Sequence, residues 1–278
     1  MLNQLFMNNQ RHTTFSQITY SCYSTCIREG EQFIPEHVFS YQISGKLVYN
    51  DGDNQYTFDE GSFRLTRRNT LIKFNKIPPP DGEYSNISVF LDQNTLRNLS
   101  LEYGYKCAKR SNNERVFSLP SNPLLSGIID SLKPYDELNK PSNKILKELK
   151  LKELIVVLLE TSPYLMDVLF DFTEPGKIDL EAFMNRNFRF NVSLERFAYL
   201  TGRSLSTFQR DFEKIFAANP RKWLQQKRLS EAFYLIKEKG AHASEVYLEV
   251  GFQDLSHFSY AFKKMFGFAP SQIPLDKL

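Results

Sequence analysis

The sequence predicts a two-domain α+β protein. A strand-rich N-terminal part with helices after it precedes an all-α C-terminal part built on two helix-turn-helix units. Three observations carry this. A chain of 278 residues exceeds one ordinary domain. Short runs rich in Tyr, Phe, Ile, Val and Thr fill the first ~90 residues, and helical spacing follows. A segment near the C-terminus recurs fifty positions later.

Composition narrows the class. Apolar residues make up 41% and charged residues 24%, as in globular proteins. The longest apolar run, Leu154 to Leu159, is far shorter than the ~20 residues of a spanning helix. Met1 to Phe6 lack the basic stretch and apolar core of a signal peptide. Cys22, Cys26 and Cys107 are an odd, low count that fits a reducing compartment. A cytoplasmic protein with no membrane partner is expected. The net charge of +3 is concentrated after Lys177, where 15 basic face 11 acidic side chains, which hints at an anionic partner.

Strands are expected over 18–28, 37–49, 55–58, 62–67, 71–77 and 84–91. Turn signals at Glu29-Gly30-Glu31, Asn50-Asp51-Gly52-Asp53, Asp59-Glu60-Gly61 and Pro78-Pro79-Pro80-Asp81-Gly82 separate them. Many short strands at this spacing suggest a sandwich or barrel. Helices are expected over 93–103, 123–138 and 142–161. The last is apolar around much of its girth, with Ile145, Leu149, Lys152, Val156 and Leu159 on overlapping faces. Such a helix packs on the sheet or is shared with a second subunit. Thr173-Glu174-Pro175-Gly176 breaks the pattern and sets the domains at 1–173 and 174–278, the latter expected to fold on its own core.

Residues 204–220 read SLSTFQRDFEKIFAANP and residues 254–270 read DLSHFSYAFKKMFGFAP. Each copy opens on an N-capping side chain, Ser204 or Asp254, and carries phenylalanines at i, i+4 and i+8 on one stripe. A shorter helix and a glycine, Gly202 or Gly251, precede each. Two such units in register define a double helix-turn-helix, whereas a solenoid needs more repeats. With the Phe stripe inward, Ser206, Gln209, Arg210 and Lys214 lie on the outer face or flanks of the first helix. Ser256, Ser259, Tyr260, Lys263 and Lys264 do so on the second. Gln and Arg pair with base edges, and late lysines suit phosphates. Arg221 adds a basic group at the start of the connecting helix, 220–238, which holds the units at fixed separation. Double-stranded DNA is the expected partner, although a solvated polar face is an alternative for any one side chain.

Residues 178–275 resemble the DNA-binding domain of the AraC/XylS family of transcription regulators. Leu194, Ala198, Gly202, Phe208, Phe212, Pro220, Arg228, Leu229, Gly251-Phe252, Phe258, Phe262, Phe266-Gly267 and Pro270 carry the resemblance. It implies a cytoplasmic regulator that binds promoter DNA through both units, with RNA polymerase as a further partner. Ala217 and Asn219 replace the usual Gly and Ser, so a different exit turn is expected in the first unit. Tyr260 stands where Arg is frequent, which predicts weaker base reading by the second helix. Tyr247 replaces an Ala and makes its short helix bulkier. The N-terminal half resembles the cupin-like barrel of such regulators. That implies a sensing or dimerising domain controlled by a small ligand or protein effector, and a homodimer through 142–161.

No cofactor or metal is expected. His37 beside Glu36 reads as a surface residue, His12 lies near the start, and Cys22 and Cys26 cannot close a zinc site. Arg67-Arg68 reads as a solvated strand end or as the receiver of an anion in the barrel. No Walker loop, G-x-S-x-G elbow or HExxH occurs, so no catalytic residue is assigned and a non-enzyme is expected. The alternative is a cupin-type small-molecule-binding protein or enzyme with an accessory helical domain.

Overall fold

The computed structural model describes residues 18–23, 32–109, 114–132 and 144–273. His12, Cys26, residues 24–28 of the first expected strand, the turn at Glu29-Gly30-Glu31, and residues 133–138 and 142–143 of two expected helices lie outside them.

Among the described residues nine strands form two antiparallel sheets: β1 (Ile18–Tyr23), β2 (Gln32–Ile34), β3 (His37–Ser44), β4 (Lys46–Asn50), β5 (Gln55–Phe58), β6 (Phe63–Thr66), β7 (Thr70–Ile77), β8 (Tyr84–Leu91) and β9 (Val116–Leu119). Their orders are β1-β8-β3-β6-β9 and β2-β7-β4-β5. The strand expected over 37–49 is two strands that enter different sheets. Gly45 separates them, and a Cβ there would meet the Ile77 carbonyl oxygen at 2.6 Å. The short β2 and β9 were not expected.

Period-two alternation gives each sheet two jobs. In β3, Phe39 faces outward into a core with α1 (Gln93–Tyr103), α2 (Pro123–Leu132), α3 (Lys144–Thr161) and α4 (Met166–Leu169). Val38 faces inward and meets Leu47, Phe58, Ile72 and Tyr84 between the sheets. In α3, Leu151, Leu154, Ile155 and Leu158 are buried against this half, while Ile145, Leu146 and Leu149 remain exposed.

The C-terminal part contains α5 (Leu180–Asn187), α6 (Leu194–Leu200), α7 (Leu205–Phe216), α8 (Pro220–Lys239), α9 (Ala243–Glu249) and α10 (Leu255–Phe266). It has two apolar clusters. One gathers Leu180, Met184, Phe197, Phe208, Phe212 and Leu224, and the other Leu229, Ile236, Val246, Phe258 and Phe262. The first cluster also takes in Leu71 of β7 and is packed by Phe33 of β2, so the two halves of the chain share a core.

Polar contacts at this junction correct two expectations. Arg68 is neither a solvated strand end nor a group facing the space between the sheets. Only 7% exposed, it donates to the carbonyls of Thr173 (2.7 Å) and Asp171 (3.4 Å) and pairs with Glu174. Arg67 pairs with Asp171 at 2.9 Å. Both arginines therefore clamp the segment that leads into the helical part. His37 is fully buried rather than at the surface, and its Nδ1 accepts the Arg68 backbone N–H. Burial, then the positive charges of Arg68 and Arg67, push its pKa down to about 3. Burial of a charged strand end depends on the distant chain that covers it, which local spacing does not report.

Candidate nucleic-acid interface

Each helix-turn-helix unit is assembled by local capping. Ser193 caps α6, and Ser204 caps α7 by accepting the Thr207 N–H. Asp254 caps α10 by accepting the His257 N–H at 2.6 Å. The chain turns between the helices of each unit through Gly202 and Gly251, both at positive φ. Phe208 and Phe212 of α7, and Phe258 and Phe262 of α10, are fully buried, so the stripe they define faces inward as spacing predicts.

The opposite faces are open. Ser206, Gln209, Arg210 and Lys214 on α7 and Arg221 on α8 are exposed, as are Ser256, Tyr260, Lys263 and Lys264 on α10. Ser259 is half-buried. Tyr260 retains 69% of its surface, and the Arg210 side chain 66%. Arg210 lies 3.9 Å from Asp211, whose carboxylate is engaged more closely by Arg203 at 3.1 Å. The Arg203 hydrogen bond holds the Asp211 pKa below the usual carboxylate range. Arg203 also donates to the carbonyls of Ile178 and Thr201, fixing the first turn.

The exit turn of the first unit does not depart from that of the second. Ala217 adopts the left-handed conformation at φ 50°, as Gly267 does at φ 88°. Asn219 caps α8 through the Arg221 N–H, the job expected of a serine there. Tyr247 packs half-buried against the second core.

Helix α8 belongs to both units: Leu224 enters the first core, and Leu229, Ala232 and Ile236 enter the second. Arg228 sits between these groups and is not a surface base. Its guanidinium donates to Phe188 O (2.8 Å), Phe190 O (2.8 Å) and Gly251 O (3.0 Å), bridging the segment after α5 to the turn of the second unit. Sequence spacing gave only a basic residue at this point, and its position in the resemblance pattern was the available signal. Among the described residues no three His, Cys, Asp or Glu side chains gather as a metal site, and no helix is long and apolar enough to cross a membrane.

Known proteins match both halves in the same order. Residues 197–273 match the family described as a helix-turn-helix domain, and residues 37–168 match the one described as the ExsA N-terminal regulatory domain. The chain belongs to the AraC family of transcription regulators. Among similar AraC-family proteins is the HTH-type transcriptional regulator ExsA of Pseudomonas aeruginosa, 25% identical over 83% of each chain. Another is the thermoregulatory protein LcrF of Yersinia pestis, 25% identical over 85% of this chain and 88% of its own. A solved structure of ToxT from Vibrio cholerae aligns over 92% of this chain and 96% of its own at 13% identity, with a TM-score of 0.47. As an AraC-family member the chain is a transcription regulator with an N-terminal regulatory domain and a C-terminal helix-turn-helix DNA-binding domain.

Proposed function

We propose that this regulator acts without catalysis, by placing α7 and α10 in successive major grooves of one promoter duplex. The observation that carries this is the pairing of two capped helices, polar faces outward, with one helix and one arginine that hold them together. Gln209 and Arg210 read base edges, with Ser206 beside them. Tyr260 makes a weaker reading contact, flanked by Ser256 and Ser259. Lys214, Arg221, Lys263 and Lys264 hold phosphates. The domains divide at 173/174 and the protein works in the cytoplasm, where promoter-bound protein meets RNA polymerase. The N-terminal domain responds to a small ligand or protein effector. It dimerises through the outer stripe of α3, where Ile145 and Leu149 are 72% and 57% exposed.

Selection of duplexes from a random pool tests the DNA reading. The recovered site should contain two blocks one helical turn, about 10 bp, apart. It should bind at least about 10³-fold more tightly than a scrambled duplex, with affinity falling linearly against log salt. A pool that never enriches would refute the reading. For the dimer, Ile145→Glu with Leu149→Glu should give folded monomers by sedimentation. A wild-type chain that is monomeric at high micromolar concentration would remove that part.

A further inference from the structure

The tip of the hairpin between β4 and β5 is shaped by its own side chains. One carboxylate oxygen of buried Asp51 accepts the backbone N–H groups of Asp53 (2.9 Å) and Asn54 (2.8 Å). Such side-chain-to-backbone bonds fix a turn locally. Arg115, just before β9, donates to the Asp51 carbonyl at 2.8 Å and pairs with Asp53 at 3.2 Å. The tip is therefore tied back to the far edge of the other sheet.

This tip meets the helical part at the stretch after α5. A Cβ at Gly52 would lie 3.2 Å from the Phe190 ring, and Asp53 pairs with Arg186 in the last turn of α5. Lys73, opposite Asn50 in the sheet, holds its Nζ 5.7 Å from the centre of the same ring. That ammonium also reaches the carbonyls of Leu248 (3.4 Å) and Glu249 at the end of α9. The second unit grips the stretch from its other side. Arg228 takes the Phe188 and Phe190 carbonyls, and a Cβ at Gly251 would meet the Arg189 carbonyl oxygen at 2.5 Å. Phe190 itself belongs to the first core. Residues 188–190 are thus wedged between the hairpin tip, the first core and the turn of the second unit. Long helices bend gently, so α8 alone leaves the angle between the units soft.

We infer that the hairpin tip and Lys73 set the angle between α7 and α10, and with it the half-site spacing that the full chain accepts. Gly52, Asp53 and Lys73 are positioning residues: they act on the readers through residues 188–190 and the end of α9, not through DNA. The inference rests on the DNA reading proposed above and gives the N-terminal domain a part in choosing the operator. Adding one base pair between the half-sites turns one of them by roughly 35° about the duplex axis. A stiffly held angle penalises that turn, whereas a loose one absorbs it.

The test uses the full chain in two arms. Without DNA, hydrogen exchange is followed at Val250, Gly251 and Phe252, whose amides close the turn of the second unit. Asp53→Asn with Lys73→Met should raise exchange there about tenfold and leave Phe208 and Phe212 of α7 unchanged. With DNA, affinity is compared for the selected duplex and for versions with one base pair added or removed between its blocks. The wild type should lose about tenfold or more on the altered spacings and the double variant about threefold or less. Affinity for either block alone should be equal in the two proteins. Lys73→Arg keeps a donor at the α9 carbonyls and should retain the wild-type values in both arms. Unchanged exchange in the double variant, or an unchanged spacing preference, would overturn the inference. So would faster exchange throughout α7, because the contacts would then be general supports. A wild type that binds the selected duplex but ignores its spacing overturns this inference alone, whereas one that binds no duplex overturns the DNA reading as well.

Discussion

The two helix-turn-helix units share a sequence template and differ in what holds them. The first is enclosed by the N-terminal domain: Leu71 and Phe33 enter or pack on its core, Arg186 pairs with Asp53, and Glu174 joins Arg68 to the Tyr199 hydroxyl. That hydroxyl hydrogen bond, with the arginine beside it, holds the Glu174 pKa below its usual range. The second unit receives Lys73 from β7, and Arg228 ties it to the segment before the first unit. Duplication thus supplied two readers, while the attachments made one continuous with the regulatory domain and left the other tethered through it. A change in the sheets reaches the first unit through apolar packing, which is stiff. It reaches the second through a few hydrogen bonds, which are easily exchanged for water.

The largest test of this difference removes the tether. Arg228→Ala leaves three carbonyls without their charged donor and should cost about 3 kcal/mol by urea unfolding. It should also split the unfolding of the second unit from that of the first. A single unchanged transition would show that α8 alone couples them.

Next comes the reading itself. Arg210→Ala should cost about 1–3 kcal/mol on the preferred duplex and relax its specificity. Lys263→Ala should weaken all duplexes alike and lower the salt slope by about one unit. Equal losses on preferred and scrambled DNA for Arg210→Ala would reduce it to a phosphate contact. A greater specificity loss for Tyr260→Ala would reverse the ranking of the units.

The clamp beside the first unit has a pH signature. Folded His37 stays neutral down to about pH 3, whereas the unfolded residue takes up a proton near 6.5. Between those values the unfolded state binds one more proton. Stability should therefore rise with pH by about 1.4 kcal/mol per unit from this residue and level off above 6.5. His37→Gln should remove that slope from a series of urea midpoints between pH 5 and 8. An unchanged slope would mean that the histidine is reached by solvent.

The smallest effect compares the exit turns. Ala217 holds a backbone conformation that costs a side-chain-bearing residue about 1 kcal/mol, a cost absent at Gly267. Ala217→Gly should stabilise the first unit by roughly that amount and Gly267→Ala should destabilise the second, both seen in Tm. Opposite signs would mean that the Ala217 methyl has packing that offsets the strain.

What could be read from the chain follows the range of the forces involved. The limits of Tyr84–Leu91, Gln93–Tyr103 and Leu205–Phe216 were legible because local periodicity and caps determine them. The ends of β3 and β4 were not, since the break at Gly45 comes from the approach of Ile77, thirty-two positions away. Three or four residues make β2 and β9, too few to show a period. The outward face of α7 was legible from its phenylalanines. The roles of Arg68 and Arg228 were not, because each arginine is a surface residue by type and is covered, wholly or in part, by elements remote in sequence.

Helix α8 carries one more consequence. Its twenty residues serve as the ruler between the readers, with Leu224 fixed in one core and Leu229 in the other. Inserting a single residue between them would advance the second reader by only about 1.5 Å but rotate it by about 100° around the helix axis. The two reading heads would then face different sides of the duplex. Insertions and deletions within α8 are therefore barred by phase rather than by packing, and the operator inherits that fixed spacing from the protein.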